Sequence, residues 1–145
     1  MSVQTQRLSL RKFLWIAPLT VVAAIIANEI LYAIVAALIP SVGQWPLAGP
    51  VQIIFGTLVY LLLGSLVFAL VVRFSSRPVR TYWIVASIGL ILSLALPISA
   101  GAGFVPPGQP VPDTATVITL SLMHVVAYAI TVTMFTRLSG QTGAA

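Results

Sequence analysis

The stretch FLWIAPLTVVAAIIANEILYAIVAALI, residues 13–39, decides the fold class of this chain. Its main interruptions are Pro18, Asn28 and Glu29. At about 1.5 Å per residue in a helix, the stretch is longer than the roughly 30 Å hydrocarbon core of a bilayer. It is also too long for the apolar part of a signal peptide, and no small-residue cleavage site with a polar domain behind it follows. The stretch therefore predicts an uncleaved, tilted transmembrane helix.

Three more apolar stretches follow, at about residues 51–72, 81–99 and 114–135. Of the 145 residues, 59% are hydrophobic and 6% are charged, which is too apolar a composition for a soluble domain of this size. We therefore predict an all-α polytopic membrane protein, a four-transmembrane-helix bundle that forms one membrane domain over residues 1–145.

The basic residues predict the orientation of the bundle. They occupy the N-terminal tail, the loop between the second and third spans, and the C-terminal tail: Arg7, Arg11, Lys12, Arg73, Arg77, Arg80 and Arg137. Cytoplasmic segments carry the excess of Lys and Arg, so both termini are predicted to be cytoplasmic. Anionic headgroups attract such residues, and we expect lipid headgroup contacts at Arg11, Lys12, Arg73, Arg77 and Arg80. Topology thus explains the net charge of +5 without nucleic acid.

Both predicted outer loops are rich in proline and glycine. The first covers about residues 40–50 and carries Trp45 at the expected headgroup level, while the second covers about residues 101–113. We expect Pro97 and Gly101 to close the third span and Asp113 to cap the N-terminus of the fourth.

Each predicted span carries polar side chains near one depth. Glu29 and His124 each lie about ten residues, or roughly 15 Å, from the outer end of their span. Residues at or within a turn of the same level are Asn28, Tyr60, Ser87, Ser121 and Tyr128. A lone carboxyl at this depth is costly, so we predict that Glu29 and His124 face inward and form a hydrogen bond, directly or through a neighbour or water.

Two interpretations of this polar level stay open. Polar side chains in membrane bundles often only fix one helix to another. Ionisable groups inside a membrane are also candidates for a proton, ion or ligand site, here made of Glu29, His124, Asn28, Tyr60 and Ser121.

Enzymatic chemistry is not expected from this sequence. There is no cysteine, one histidine, and no nucleotide-binding, hydrolase or metalloprotease motif. We therefore predict no catalytic residue, no metal ligand set and no cofactor.

Four short motifs carry a resemblance to a known family. They are Ala27-Asn28-x-x-x-Tyr32, Arg77-Pro78-x-Arg80-Thr81, Leu92-Ser93-x-x-x-Pro97 and Leu122-Met123-His124-x-x-Ala127. Together they resemble a bacterial family of short four-helix membrane proteins known only as a domain of unknown function, from about Leu14 to Arg137. The resemblance implies a multi-pass protein of the bacterial inner membrane without an assigned activity. Asn28 and His124 match the family pattern.

Two functional hypotheses follow. The first is a non-enzymatic helix-packing or assembly component, whose partners are the bilayer and other membrane helices or further copies of itself. The alternative is a small proton- or cation-coupled transporter or channel-like protein that uses Glu29 and His124.

Overall fold

The computed structural model describes residues 10–138, which fold almost entirely into helices. Four of the helices are long and apolar enough to cross a membrane, which confirms the predicted four-span, all-α architecture. Arg7 of the predicted cytoplasmic tail lies outside the described residues. The helices are α1 (Leu10–Leu38), α2 (Pro40–Gln44), α3 (Pro50–Phe74), α4 (Pro78–Gly101) and α5 (Thr114–Thr133), and a π-helical turn (Met134–Leu138) continues α5.

Proline and aspartate start four of these helices. Pro40, Pro50 and Pro78 each occupy the first position of a helix, where a missing backbone N–H removes no helical hydrogen bond. Asp113 caps α5, and its side chain accepts a 2.8 Å hydrogen bond from the backbone N–H of Thr116. The predicted cap is therefore confirmed.

Pro97 does not close α4, contrary to the expectation from the sequence. The helix continues through it to Gly101, and the proline ring is buried. A proline inside a transmembrane helix is tolerated because neighbouring packing and local backbone adjustment accommodate the missing hydrogen bond. The other bounds lie within three residues of the predicted spans, and the first outer loop contains the short helix α2, which was not predicted.

The helices form a bundle in which the first and last long helices pack together. α1 contacts α3 and α5, and α5 also contacts α4 along much of its length. The contact between α3 and α4 is smaller, which leaves a cleft between them. We call the end of the bundle with Arg11, Arg73 and Arg80 the basic end, and the opposite end the proline-rich end.

An aromatic cluster fills the core near the basic end. It consists of Phe13, Phe68, Tyr82 and Phe135, none of which is more than 7% exposed. Phe68 lies with its ring centroid 4.8 Å from that of Phe13, 4.8 Å from that of Tyr82 and 4.9 Å from that of Phe135. Tilted and edge-on aromatic pairs contribute about 0.5–1.5 kcal/mol each beyond burial. This cluster joins all four long helices and leaves that part of the core tightly packed.

Two hydrogen bonds, which we call the clasp, join the loops at the proline-rich end. The indole Nε1 of Trp45 donates to the Pro110 carbonyl oxygen at 2.8 Å. The Ser41 hydroxyl hydrogen-bonds the Asp113 carboxylate, and this bond, together with those from Thr116, lowers the pKa of Asp113. The clasp therefore ties the α1–α3 connection to the loop before α5.

Candidate intramembrane site

A small cleft reaches the polar level from the proline-rich end. Its volume is about 120 Å³, and it lies between α1, α3 and α5. The lining includes residues near its mouth, at its base and along its walls: Leu47, Gln52, Thr57, Tyr60, Met123, His124 and Asn28. Three of the five predicted site residues, Asn28, Tyr60 and His124, therefore line one cleft.

Asn28 is the most deeply buried polar residue of this cleft. Its side chain is 3% exposed, and its Nδ2 donates a 3.0 Å hydrogen bond to Thr57 Oγ1 on α3. The amide oxygen, Oδ1, is buried without a hydrogen-bond partner in the described part of the chain. A buried acceptor of this kind costs about 1–3 kcal/mol when nothing donates to it. Asn28 therefore ties α1 to α3, and its amide oxygen is left buried and unsatisfied by the residues that the structure describes.

His124 packs against Tyr60 rather than against an acid. The two rings meet edge to face, with centroids 5.3 Å apart and an interplanar angle of 79°. No hydrogen bond to the imidazole is formed by residues 10–138. The imidazole nitrogens are thus free of protein partners within the described chain.

Glu29 does not form the predicted direct hydrogen bond to His124. Its Oε1 is occluded yet has no hydrogen-bond partner within residues 10–138, and Glu29 lines neither of the clefts described here. Consecutive residues are about 100° apart around a helix, so Asn28 and Glu29 cannot both face the interior. The half-buried Glu29 lies at the edge of the outward face of α1, beside exposed Ile26 and Ala33.

The hydroxyl of Ser121 also does not join the site. It donates to the Val117 carbonyl oxygen of its own helix at 2.8 Å. Ser87 and Tyr128, which the sequence placed within a turn of this level, do meet: their hydroxyl oxygens lie 2.8 Å apart and link α4 to α5.

A larger cleft lies between α3, α4 and α5. Its volume is about 300 Å³, and its lining is mostly apolar. Tyr60, His124 and Ala127 line both this cleft and the smaller one, so these three residues are wall residues common to the two clefts. Within residues 10–138, no three His, Cys, Asp or Glu side chains come together as a metal-binding group.

Thr57 is the site residue that sequence reasoning missed. Its position on α3 is three residues before Tyr60, close to the predicted polar level. Threonine in a transmembrane helix commonly bonds to its own backbone, as Thr20, Thr119 and Thr131 do. The sequence alone therefore does not distinguish Thr57 from those three.

The basic residues of the predicted headgroup contacts are exposed. Arg11, Lys12, Arg73, Arg77 and Arg80 all lie near the basic end with exposed side chains. The Arg73 guanidinium also lies 5.7 Å from the centroid of the Phe74 ring. Their contact with lipid headgroups stays a prediction.

Four long apolar helices around a polar level define a multi-pass membrane protein. The chain belongs to a family of unknown function, DUF6069, whose model matches residues 9–141. This match confirms the predicted resemblance to a family known only as a domain of unknown function. No curated protein and no solved structure matches the chain.

Proposed function

We propose that this protein is a non-enzymatic membrane component that assembles with other transmembrane helices, in the simplest case those of a second copy. The observation that carries the proposal is the half-buried Glu29, which lies at the outward edge of α1 and whose Oε1 is occluded without a hydrogen-bond partner in the described chain. An unsatisfied polar group in hydrocarbon costs several kcal/mol. This cost would be removed if the carboxyl turned outward and formed a hydrogen bond to a helix from outside the bundle.

The large share of the described chain that lies in membrane helices supports the same proposal. Between the four long helices the described chain has only short connections, around residues 39–49, 75–77 and 102–113. Most of its surface is therefore the outward faces of membrane helices, where side chains such as Ile26, Ile30 and Ile34 are more than half exposed. A protein built in this way presents helix faces, rather than a water-facing domain, to its partners.

Affinity purification in a mild detergent, followed by cross-linking and mass spectrometry, tests this function. We expect the wild-type protein to be recovered with a second copy or another membrane protein. Glu29→Leu should lose this association and Glu29→Gln should retain much of it, because the amide still forms hydrogen bonds. Ile26→Leu, on the same helix face, is the matched control and should behave as wild type. A monomeric wild-type protein without partners, or a complex unaffected by Glu29→Leu, would contradict the proposal.

The small cleft favours a second candidate function, proton- or cation-coupled transport. The small cleft extends from the proline-rich end to His124, and the buried Asn28 side chain is part of its wall. Towards the basic end, the aromatic cluster closes the core, so a pathway would require this cluster to open. Proteoliposomes that contain a pH-sensitive dye and carry an imposed potential provide the test. Proton flux that depends on His124 supports transport, and flux equal to that of empty liposomes excludes proton transport.

We further propose that the basic end faces the cytoplasm and that the membrane is the bacterial inner membrane. The one-sided basic residues support this orientation, and the resemblance to a bacterial family supports the location. Gln44→Cys and Ser76→Cys place exposed thiols at opposite ends of the bundle. An impermeant maleimide should label position 44 and not position 76 in intact cells. Labelling of position 76 but not of position 44 would show that the proposed orientation is wrong.

A further inference from the structure

The larger cleft opens sideways, between α3 and α4, towards the hydrocarbon of the bilayer. It runs along α3 from Tyr60 to Val67 and along α4 from Tyr82 to Ser93, with α5 behind it. At its rim, Leu63 is 55% exposed and Val85 is 37% exposed. Its volume of about 300 Å³ is at the lower end of the range for small-molecule sites, roughly 300–1,000 Å³. A small molecule dissolved in the lipid can therefore enter this cleft without crossing water.

Two glycines in the walls widen the cleft. A Cβ added at Gly64 or Gly89 would meet no atom of a neighbouring element within 4 Å. Neither glycine has a positive φ, so backbone conformation does not require glycine at these positions. Glycine inside a helix is also less stable than alanine. The two missing side chains therefore leave space that the packing of the bundle does not use.

The hydroxyl of Tyr82 is a free hydrogen-bonding group in this cleft. Tyr82 is 2% exposed, and its ring packs edge-on against Phe68. Its hydroxyl forms no hydrogen bond within residues 10–138. This oxygen is nevertheless not occluded, because the occluded side-chain atoms without a partner in that part of the chain are Asn28 Oδ1 and Glu29 Oε1. The little surface that Tyr82 exposes therefore includes its hydroxyl, and the larger cleft is the one that Tyr82 lines.

The rest of the lining favours an uncharged molecule with a flat ring. Three of the four tyrosines of the chain and its one histidine line the cleft: Tyr60, Tyr82, Tyr128 and His124. Aromatic side chains pack against planar rings in offset or edge-on contacts. None of the described residues that line the cleft is charged, and burying an unpaired charge is far more costly than burying a carbonyl group. The hydroxyls of Ser93 and Thr131 donate to carbonyl oxygens of their own helices, so they do not compete for a ligand.

We propose that the larger cleft binds an uncharged, lipid-soluble quinone. A quinone is a flat ring whose carbonyl oxygens accept hydrogen bonds, and one of them accepts from the free hydroxyl of Tyr82. The ring packs among the aromatic side chains of the lining, and an apolar chain on the ring leaves between α3 and α4 into the bilayer. A hydrocarbon ring of the same shape would fill the space and leave the hydroxyl of Tyr82 without an acceptor. The smaller cleft takes no part in this binding.

Equilibrium binding to the protein in phosphatidylcholine nanodiscs tests the inference without any protein partner, so its outcome is separate from that of the assembly proposal. The ligand is menadione, a methylnaphthoquinone, which finds no cysteine to react with in this chain. The control ligand is the corresponding methylnaphthalene, which has the same rings and no carbonyl. Empty nanodiscs correct for partition, so that both affinities refer to ligand dissolved in the lipid. We expect the quinone to bind about fivefold more tightly than the hydrocarbon, as one hydrogen bond would give.

Three variants supply the second measurement. Tyr82→Phe removes the hydroxyl and keeps the ring, so it should weaken quinone binding about fivefold and leave hydrocarbon binding unchanged. Tyr32→Phe is the matched control, because Tyr32 lines neither cleft, and it should bind both ligands as the wild type does. Gly89→Leu fills the cleft and should abolish the binding of both ligands.

Four results would overturn the proposal. They are equal affinities of the wild type for the two ligands, binding no stronger than to empty nanodiscs, undiminished quinone binding by folded Tyr82→Phe, and undiminished binding by folded Gly89→Leu. If neither variant folds, the comparison of the two ligands on the wild type decides alone.

Discussion

Replacing Thr57 with valine is expected to destabilise the bundle more than replacing its partner Asn28 with leucine. Their hydrogen bond is 3.0 Å long and buried. Interhelical hydrogen bonds in membranes contribute about 0.6 kcal/mol on average and about 1.7 kcal/mol at most. Thr57→Val loses this bond and also leaves the Asn28 amide with no partner in the described chain, so we expect a total cost of about 1–2 kcal/mol.

Asn28→Leu loses the same bond but also removes the acceptor that has no partner. The two effects are of similar size and opposite sign, so this variant should be within about 0.5 kcal/mol of wild type. In the double variant, Thr57→Val should cost almost nothing further, because there is no amide left to strand. The cycle should therefore give a coupling energy of about 1–2 kcal/mol, the whole cost of Thr57→Val in the wild-type background.

The free energy of unfolding of the wild type, the two single variants and the double variant is measured by reversible unfolding in mixed micelles, with circular dichroism as the probe. Thr119→Val is the matched control, because Thr119 is also buried and its hydroxyl donates only to the Ala115 carbonyl oxygen of its own helix. It should change the free energy of unfolding by less than about 0.5 kcal/mol. The reasoning fails if the effects of Asn28→Leu and Thr57→Val simply add, or if Thr57→Val is no worse than the control.

Three more predictions follow from the site and the clasp. Because no direct hydrogen bond joins Glu29 to His124, a double-mutant cycle of Glu29→Ala and His124→Ala in detergent should be additive within about 0.5 kcal/mol, and a larger coupling would reveal a bridging contact. Gly89→Ala should raise the free energy of unfolding by about 1 kcal/mol, because alanine has the higher helix propensity and the added Cβ meets no atom. Gly101→Ala should lower it by about 1–3 kcal/mol, because the added Cβ clashes with α5. Thermal unfolding of the two variants tests whether the effects have opposite signs. The hydrogen bonds from two hydroxyl side chains lower the pKa of Asp113, so its stabilising effect is present above its ordinary pKa of 3.8 and is lost as the pH falls through the lower folded value. The stability difference between wild type and Asp113→Ala should therefore shrink below pH 3.8, and a constant difference down to pH 2 would contradict this.

The parts of the fold that depend on chain length and local chemistry could be predicted from the sequence. Apolar length determined the four spans, and the cap at Asp113 follows from a local hydrogen bond to the backbone three residues further along the chain. Pro97 was misread because the rule that proline ends a helix comes from water-exposed helices, while here the ring is buried in a bundle.

The sequence predicted how deep the site residues lie in the bundle, but not which side of its helix each one faces. Counting residues gives the height of a side chain along a helix, and Asn28, Tyr60 and His124 do line one cleft. Which way a side chain faces depends on the rotation of its helix about the helix axis. This rotation can be predicted only where one face of the helix is polar and the other apolar, and these helices are apolar on all sides. Glu29 was therefore assigned inward with Asn28, although neighbouring residues differ by about 100°. The pairing of Asn28 with Thr57 depends on this rotation in two helices at once.

The clasp has a consequence for the biogenesis of the protein. Trp45 and Pro110 are 65 residues apart, so at roughly 5–20 residues per second about 3–13 s of translation separate the two halves of this hydrogen bond. During that interval α1 and α3 stand in the membrane without α5, and the Asn28 side of α1 lacks one of its walls. The hairpin of α1 and α3 must therefore stay inserted in the membrane, alone or bound to an insertase, until α5 has been synthesised. A chain whose synthesis stops before residue 114 lacks α5 and with it every contact that α5 makes to α1, α3 and α4, so the bundle is complete only when the last span has been made.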